Sequence, residues 1–211
     1  VPETWDEFLA AAQKLTLDTD GDGKIDVYGN VQRGKPGEHV HQDFLRFLHS
    51  TGHGMLDDAM KRCLLAEPDA VKVLEVFVTP FQKKWAPPDM LAWGREEYVS
   101  AMQQGRAAMG LYFSPYWGLF VDPKPSKVAC QVGYALVPSV PGGKPGRTLN
   151  GSWNLVMDRK GRNKTAAWKL VETLTNKPNQ LTMALKYANG PVRTSSYTAP
   201  EYLREFPVAK A

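Results

Sequence analysis

Residues 98–118, which read YVSAMQQGRAAMGLYFSPYWG, constrain the fold of this chain more than any other stretch. The stretch opens with a helical pattern, and Gly105 ends it, since glycine is common just past a helix end. Residues 107–113 then form a nearly continuous apolar run, which is typical of a strand buried on both faces of a parallel sheet. We therefore predict an α/β fold with a mostly parallel sheet flanked by helices.

Polar and aromatic side chains follow directly after this apolar run. Ser114, Tyr116 and Trp117 stand just beyond the predicted strand. In open α/β sheets, ligands bind outside the carboxyl ends of the strands. The position thus predicts that these three residues contact a ligand. The alternative is that both rings cap the hydrophobic core, where aromatic side chains are often partly buried.

Composition and charge exclude several classes of protein. The chain has 211 residues and a net charge of +4, from 26 basic and 22 acidic residues. The basic residues are scattered and do not form the stripe that nucleic-acid-binding proteins show. No run of 18 apolar residues occurs that could span a membrane. The chain starts at Val1, so we expect a processed or cut N-terminus.

Local signals predict the helices and the remaining strands. Thr4 and Glu7 fit a capping box, which predicts a helix to about Leu15. Further helices are predicted over 40–50, 68–84, 163–175 and 177–188, and short strands over 27–31, 132–140 and 153–157. The buried stripe of the third helix is predicted to consist of Val71, Leu74, Val78 and Phe81. Cys63 and Cys130 are interpreted as buried thiols or as one bridge.

Residues 18–26 resemble a calcium-binding loop. Carboxylates occupy positions 1, 3, 5 and 9 of the loop pattern, with glycine at position 6 and a backbone carbonyl available at position 7. The predicted ligands are Asp18, Asp20, Asp22, Asp26 and the carbonyl of Lys24. Gly29 stands at position 12, where a bidentate Glu is usual. We predict weak binding of one structural calcium ion, and the alternative is a solvated turn.

A glycine-rich turn follows the second predicted helix. The sequence Gly52-His53-Gly54 would let backbone amides approach a ligand closely. Four histidines lie in this region, but none has the spacing of a known metal motif, so surface or hydrogen-bonded histidines are the better interpretation. Because His53 lies in the glycine turn, His53 and Gly54 are the candidate ligand contacts here.

Five stretches, taken in order, resemble one family. They read PETWDEFLAAAQKLT with DTDGDGKIDVYG, FLHSTGHG, QQGRAAMGLYFSPYW, ALVPSVPGGKPGRTLNGSW and NKTAAWKLVETLTNKPNQLTMALKYANGPVRTS. Their order and spacing are similar to those of the extracellular solute-binding proteins of ABC importers, the group that contains maltose-binding protein. The resemblance extends along all 211 residues.

The resemblance implies a fold and a site. The fold would be that of a periplasmic binding protein of type II, with residues 1–149 as a C-terminal-type ligand-binding lobe. Residues 150–211 would form a hinge crossing and a segment that packs on the other lobe. Tyr116 and Trp117 would stack on a sugar, with Gly151, Trp153 and Arg193 completing the wall.

The resemblance also implies a function. The protein would bind a sugar or oligosaccharide in the periplasm or at the cell surface and deliver it to a membrane permease, without catalysis. Family members are longer, so we expect this chain to be an incomplete receptor. Apolar surface around Trp153, Leu155, Trp168 and Leu170 would then be exposed and would favour a homodimer, or the tail from about Thr148 onward would rearrange.

Two other functions were weighed against solute binding. The acidic loop alone would suit a calcium-dependent structural or adhesion module. A glycan-acting hydrolase would need two cleft carboxylates at a defined separation, and nothing in the sequence favours such a pair.

Overall fold

Helices make up most of the regular structure. The computed structural model describes residues 1–143, 146–151, 153–187 and 190–210. The α-helices are α1 (Trp5–Lys14), α2 (Glu38–His49), α3 (Pro68–Gln82), α4 (Arg95–Gln103), α5 (Trp117–Val121), α6 (Lys164–Thr175), α7 (Lys177–Tyr187), α8 (Thr194–Tyr197) and α9 (Pro200–Glu205). Short 3-10 turns cover Met90–Ala92, Ser114–Tyr116 and Pro207–Lys210.

The chain divides into two compact units. The first contains Val1–Tyr112 and Leu119–Leu149, and the second contains Phe113–Gly118 and Asn150–Ala211. The short segment 113–118 therefore belongs with the C-terminal residues rather than with its neighbours in sequence. The assignment of residues 1–149 to one lobe and of 150–211 to a hinge crossing stays a prediction.

The predicted starts of α1 and α6 are stabilised by local hydrogen bonds. The Thr4 hydroxyl accepts from the Glu7 amide at 3.3 Å, and the Glu7 carboxylate accepts from the Thr4 amide at 3.3 Å. Asn163 begins α6 by accepting from the Ala166 amide at 3.0 Å. Both helix starts confirm the sequence prediction, because a cap depends only on residues within one turn.

Three helices enclose the main core of the first unit. Buried side chains from α1, α2 and α3 form one apolar cluster, and Trp5 stacks on Phe47 with ring centroids 4.4 Å apart. The members are Trp5, Phe8, Leu45, Phe47, Leu48, Ala70, Val73 and Val76. A second cluster surrounds α4, where Tyr98 is buried and stacks on Tyr112 at 4.7 Å.

Residues 28–31 and 107–110 run parallel to each other at this second cluster. Tyr28 pairs with Ala107 and Val31 pairs with Gly110. The Ala108 amide donates to the Tyr28 carbonyl at 2.9 Å, and the Val31 amide donates to the Met109 carbonyl at 3.0 Å. The direction is the one expected for an α/β fold.

The prediction of a mostly parallel sheet is not confirmed. Within the described residues, β-pairing consists of isolated bridges, and residues 107–113, 132–140 and 153–157 do not form strands. A strand-length apolar run needs a hydrogen-bonded neighbour along its whole length to form a ladder. Here the contacts between 28–31 and 107–110 end after two pairs, so only the direction of pairing was predictable.

Gly29 allows the 28–31 segment to lie directly on α1. A Cβ atom at this position would lie 1.8 Å from the Ala12 carbonyl oxygen, so no side chain fits. Gly29 is also position 12 of the acidic loop pattern. The missing bidentate Glu is therefore a consequence of packing, because the chain needs glycine where a calcium loop would place its last ligand.

Two of the four residues predicted for the buried face of α3 are exposed, whereas Val78 and Phe81 are half-buried. The buried residues are Ala70, Val73, Val76 and Pro80, whereas Val71 and Leu74 are 42% and 45% exposed. Valines occur on both faces of this helix, so apolar periodicity fits either register. The position of α3 against α1 and α2 decides which face is buried.

Both cysteines lie at the surface. Cys63 and Cys130 are exposed and free, so the predictions of buried thiols and of a bridge are both wrong. Cys63 pairs with Leu56 in an antiparallel bridge of an exposed hairpin, and its position follows from that turn rather than from its apolar character.

The second unit has a smaller core of its own. Ala184 of α7 packs with Tyr202 and Phe206, and the rings of these two aromatic residues stack at 4.9 Å. None of the helices among the described residues is long and apolar enough to cross a membrane.

Candidate functional site

The segment that carries the predicted aromatic contacts is a tight turn followed by a short helix. Ser114–Tyr116 form one 3-10 turn, and the Tyr116 amide donates to the Phe113 carbonyl at 3.0 Å. Pro115 suits this turn because its φ is already restricted to the required range. The turn leaves Ser114 exposed, while Tyr116 and Trp117 are half-buried.

Trp117 is anchored by the core of the second unit. Its ring packs against the cluster of Ala184, Tyr202 and Phe206. The capping alternative raised from the sequence therefore has direct support. Since Trp117 is only half-buried, part of its side chain is still available to a ligand.

The segment 113–118 lies beside two other parts of the second unit. A Cβ atom on Gly151 would lie 3.6 Å from the Phe113 ring, and one on Gly190 would lie 2.8 Å from Pro115. Gly190 thus permits close packing that a larger residue would prevent. The sequence pattern identified Gly151, but not Gly190, as part of this region.

Trp153 and Arg193 are both exposed. Trp153 has 91% of its surface accessible. The Arg193 Nε donates to the Thr175 carbonyl at the end of α6, where a cation also balances the partial negative charge of the helix end. Arg193 therefore holds the start of α8 against α6, and its predicted contact with solute stays a prediction.

His53 lies in the turn that ends α2. Gly52 has φ of +104°, a value that glycine adopts far more readily than other residues. His53 Nδ1 is 2.9 Å from its neighbour's carbonyl oxygen at Gly54, and Nε2 is 3.1 Å from both oxygens of Asp69. Both ring nitrogens thus have protein partners.

The eight predicted contact residues are divided between the two units. His53 and Gly54 belong to the first unit. The second unit contains Ser114, Tyr116, Trp117, Gly151, Trp153 and Arg193. Within the second unit, the structure brings Gly151 close to the 113–118 segment.

Sequence reasoning missed Asp69 as a partner of the glycine turn. Asp69 stands in the first turn of α3, where an acidic residue is common for reasons local to the helix. It lies 16 residues after His53, and no motif spacing links the two. An acidic residue at the start of the next helix was the one available signal.

The acidic loop brings three of its carboxylates together. Asp18, Asp20 and Asp22 have oxygens within 4.8 Å of one another, and all three side chains are exposed. The fourth, Asp26, accepts from the hydroxyl and amide of Thr19 at 2.6 and 2.7 Å, and these bonds lower its pKa. Oxygen ligands of this kind suit calcium.

Backbone amides already use the same carboxylates. Asp18 accepts from the amides of Gly21 and Gly23 at 2.7 and 2.8 Å, and Asp22 accepts from the Lys24 amide at 2.8 Å. These bonds close a turn without any ion. The calcium prediction and the turn alternative are therefore both compatible with the loop.

Comparison with known proteins gives the family of this chain. Residues 2–181 match the family described as bacterial extracellular solute-binding protein. The chain belongs to this family.

Curated relatives agree with this assignment. A probable ABC transporter-binding protein of Deinococcus radiodurans is 29% identical over 208 residues, which cover 98% of this chain and 48% of that protein. A probable amino-acid ABC transporter periplasmic-binding protein of Sinorhizobium fredii is 25% identical over 206 residues, 98% of this chain and 44% of that protein. The chain thus spans about half the length of the curated relatives it matches.

Solved structures of solute-binding proteins share the fold. An Agrobacterium radiobacter solute-binding protein in complex with ribitol has a TM-score of 0.75 and 28% identity, covering 100% of this chain and 51% of that one. The maltose-bound MalE3 of T. maritima has a TM-score of 0.78 and 26% identity, covering 99% and 52%. A D-mannitol-bound protein of Agrobacterium vitis has a TM-score of 0.73 and 27% identity, covering 99% and 49%.

Proposed function

We propose that this chain is the part of an extracellular solute-binding protein that supplies aromatic contacts to a sugar or sugar alcohol. The whole protein would deliver that solute to the permease of an ABC importer and would carry out no chemistry on it. It would work in the periplasm or at the cell surface. The main support for this proposal is structural similarity to the ribitol-, mannitol- and maltose-bound proteins, which extends over at least 99% of this chain.

The 113–118 segment has the chemistry that such a solute needs. The apolar C–H faces of a sugar pack on aromatic rings, and a few polar groups fix its hydroxyls. Tyr116 and Trp117 supply half-buried rings, and Ser114 supplies an exposed hydroxyl next to them. Anchoring of Trp117 in the core reduces the entropy that a stacking residue would lose on binding.

An amino acid is the second candidate solute. It is favoured by the likeness to the probable amino-acid-transporter protein of Sinorhizobium fredii. The carboxylate of an amino acid would require a cationic partner. Arg193 is an exposed cation in the same unit as the 113–118 segment. The sugar proposal has more support, since the three solute-bound structures above contain a sugar or a sugar alcohol.

Calorimetric titration of the 211-residue chain tests the two candidates. Ribitol, D-mannitol and maltose are titrated in one series, and a mixture of amino acids in another. We expect saturable heat with at least one member of the first series. Saturation only with amino acids would select the second candidate, and no saturation at millimolar concentration in either series would contradict solute binding by this chain.

A further inference from the structure

His53 is held between two acceptors. The carbonyl oxygen of Gly54 faces Nδ1 at 2.9 Å, and the carboxylate of Asp69 faces Nε2 at 3.1 Å. Neither a carbonyl nor a carboxylate has a proton to donate, so both contacts are hydrogen bonds only when each ring nitrogen carries a proton. The geometry therefore favours the imidazolium form of His53.

Charged groups of both signs surround this ring. Asp69 and Glu67 lie at the start of α3 and favour the cation, whereas His49 of α2 interacts electrostatically with His53 as another basic group. Arg147 lies beside Gly52, where a Cβ atom would be 3.6 Å from its Nη1. Burial lowers the pKa of His53, but the Gly54 carbonyl and Asp69 outweigh burial and raise it overall.

The pair joins a turn to a rigid helix. Asp69 also accepts from the Ala70 amide at 2.8 Å, which fixes its carboxylate at the first turn of α3. His53 is itself part of the turn, so its contact with Asp69 restrains residues 51–54 relative to α3. Thr51 and Gly52 are also held by bonds to the carbonyls of Leu48 and His49, at 2.6–3.2 Å. The His53 amide has only a long bond to the Thr51 hydroxyl, at 3.5 Å, so the contact with Asp69 matters most for residues 53–54.

We propose that Asp69 is a positioning residue that holds His53 as an imidazolium and thereby fixes the 51–54 turn for solute binding. This inference rests on the proposed function and on the prediction from the sequence that His53 and Gly54 contact the solute. It changes the role predicted for His53, because the ring nitrogens bind protein oxygens and the turn would contact solute through its backbone. The structure of the turn then depends on pH.

The sign of this dependence follows from the direction of the pKa change. A group with a raised pKa stabilises the folded form at pH values below its unfolded pKa, which for histidine is about 6.5. The contribution is lost as the pH rises through the folded pKa, which is higher. When His53 loses one proton, one of its ring nitrogens becomes an acceptor that faces the Gly54 carbonyl or the Asp69 carboxylate. The turn should therefore loosen in mildly alkaline solution.

An NMR titration of the four histidine rings in the 211-residue chain tests the pair without any solute. His53 is assigned with the H53Q variant, and the Cε1–H signals are followed between about pH 5 and pH 9. We expect a midpoint for His53 above 6.5 that moves down in D69N. The matched control D58N, which changes an exposed aspartate near the turn, should leave the midpoint in place.

Two further measurements separate positioning from stability. The protection factors of the amides of residues 52–54, which are the intrinsic exchange rates at each pH divided by the observed rates, should be higher below the His53 midpoint than above it in the unmodified chain. Affinity for D-mannitol, ribitol or maltose should fall over the same pH range in the unmodified chain, and D69N should remove this dependence.

Each outcome has a defined meaning. A His53 midpoint at or below 6.5, or unchanged protection factors of the 52–54 amides across it, overturns the inference even if D69N does not fold. If the midpoint and exchange behave as expected and no solute binds, the pair is established and the proposed function fails. If a solute binds with an affinity that does not change across the pH range of the His53 midpoint, the positioning role of Asp69 is wrong.

Discussion

Trp5 and Ser50 are joined by a buried hydrogen bond that connects the start of α1 to the end of α2. The indole Nε1 donates to the Ser50 hydroxyl at 2.8 Å, and that hydroxyl donates to the Phe47 carbonyl at 2.6 Å. The bond holds the chain at the point where α2 gives way to the turn that contains His53. A buried Trp N–H usually requires such a partner.

Replacement of Ser50 by alanine should destabilise the fold. The S50A variant leaves the Trp5 N–H buried without its acceptor, which costs about 1–3 kcal/mol. Urea denaturation followed by circular dichroism measures the change in the free energy of unfolding. The control S100A, at an exposed site of α4, should change it by less than about 0.5 kcal/mol, and equal effects would show that the bond contributes nothing.

Asp43 forms ion pairs with two buried arginines, and its loss should be more costly than that of Ser50. Its carboxylate accepts from Arg33 Nη2 at 2.6 Å and from Arg46, and all three side chains are at most 5% exposed. Removing one partner of a buried ion pair costs about 3–5 kcal/mol, because the remaining charge stays desolvated. The D43N variant should therefore unfold at much lower urea concentration than the exposed control D58N, and similar midpoints would contradict this role.

Local signals predicted parts of this fold correctly, and long-range packing explains the failures. The Thr4 and Asn163 caps depend on neighbours within one turn, so the starts of α1 and α6 were predictable. The buried face of α3 depends on where α1 and α2 lie, and the apolar periodicity of its valines fits two registers. The predicted strands failed because pairing between distant segments is not encoded in the apolar run itself.

The candidate site shows the same division. Its turn residues at 52–54 and 114–117 were found from glycine, proline and aromatic signals. The Asp69 contact to His53 was not found, because it joins two elements that only the tertiary structure brings together. The packing of Trp117 on Tyr202 and Phe206 could not be predicted either, because these residues are more than 80 positions apart in the sequence.

The acidic loop should bind one calcium ion weakly, a prediction that rests on Asp18, Asp20 and Asp22. Calorimetry should detect binding with a dissociation constant of about 10⁻⁴–10⁻³ M, as in weak extracellular sites, and a chelator should lower the melting temperature. The D20N variant should remove both effects, and D58N should keep them. An unchanged melting temperature with no heat at millimolar calcium would identify the loop as a turn only.

Trp117 should contribute to both solute affinity and stability. W117A should weaken binding of D-mannitol, ribitol or maltose by about 1–3 kcal/mol, the value of burying a large apolar side chain. It should also lower the unfolding free energy, because the ring packs on Tyr202 and Phe206. The matched control W168A removes a half-exposed tryptophan of α6 and should leave affinity unchanged. Reduced stability with unchanged affinity in W117A would show that this ring only caps the core.

Exposed apolar residues that lie before and within α6 of the second unit should cause this chain to form homodimers. Trp153, Leu155, Trp168 and Leu170 are 91%, 53%, 56% and 59% exposed, which confirms the predicted exposure. Large exposed apolar patches promote association in water. We therefore expect light scattering to detect a homodimer whose fraction rises with concentration. The double variant W153S/L155S should be monomeric, whereas L91S, a control at an exposed leucine of the first unit, should still dimerise. A monomer at every concentration, or a dimer that persists in the double variant, would contradict a role for this surface.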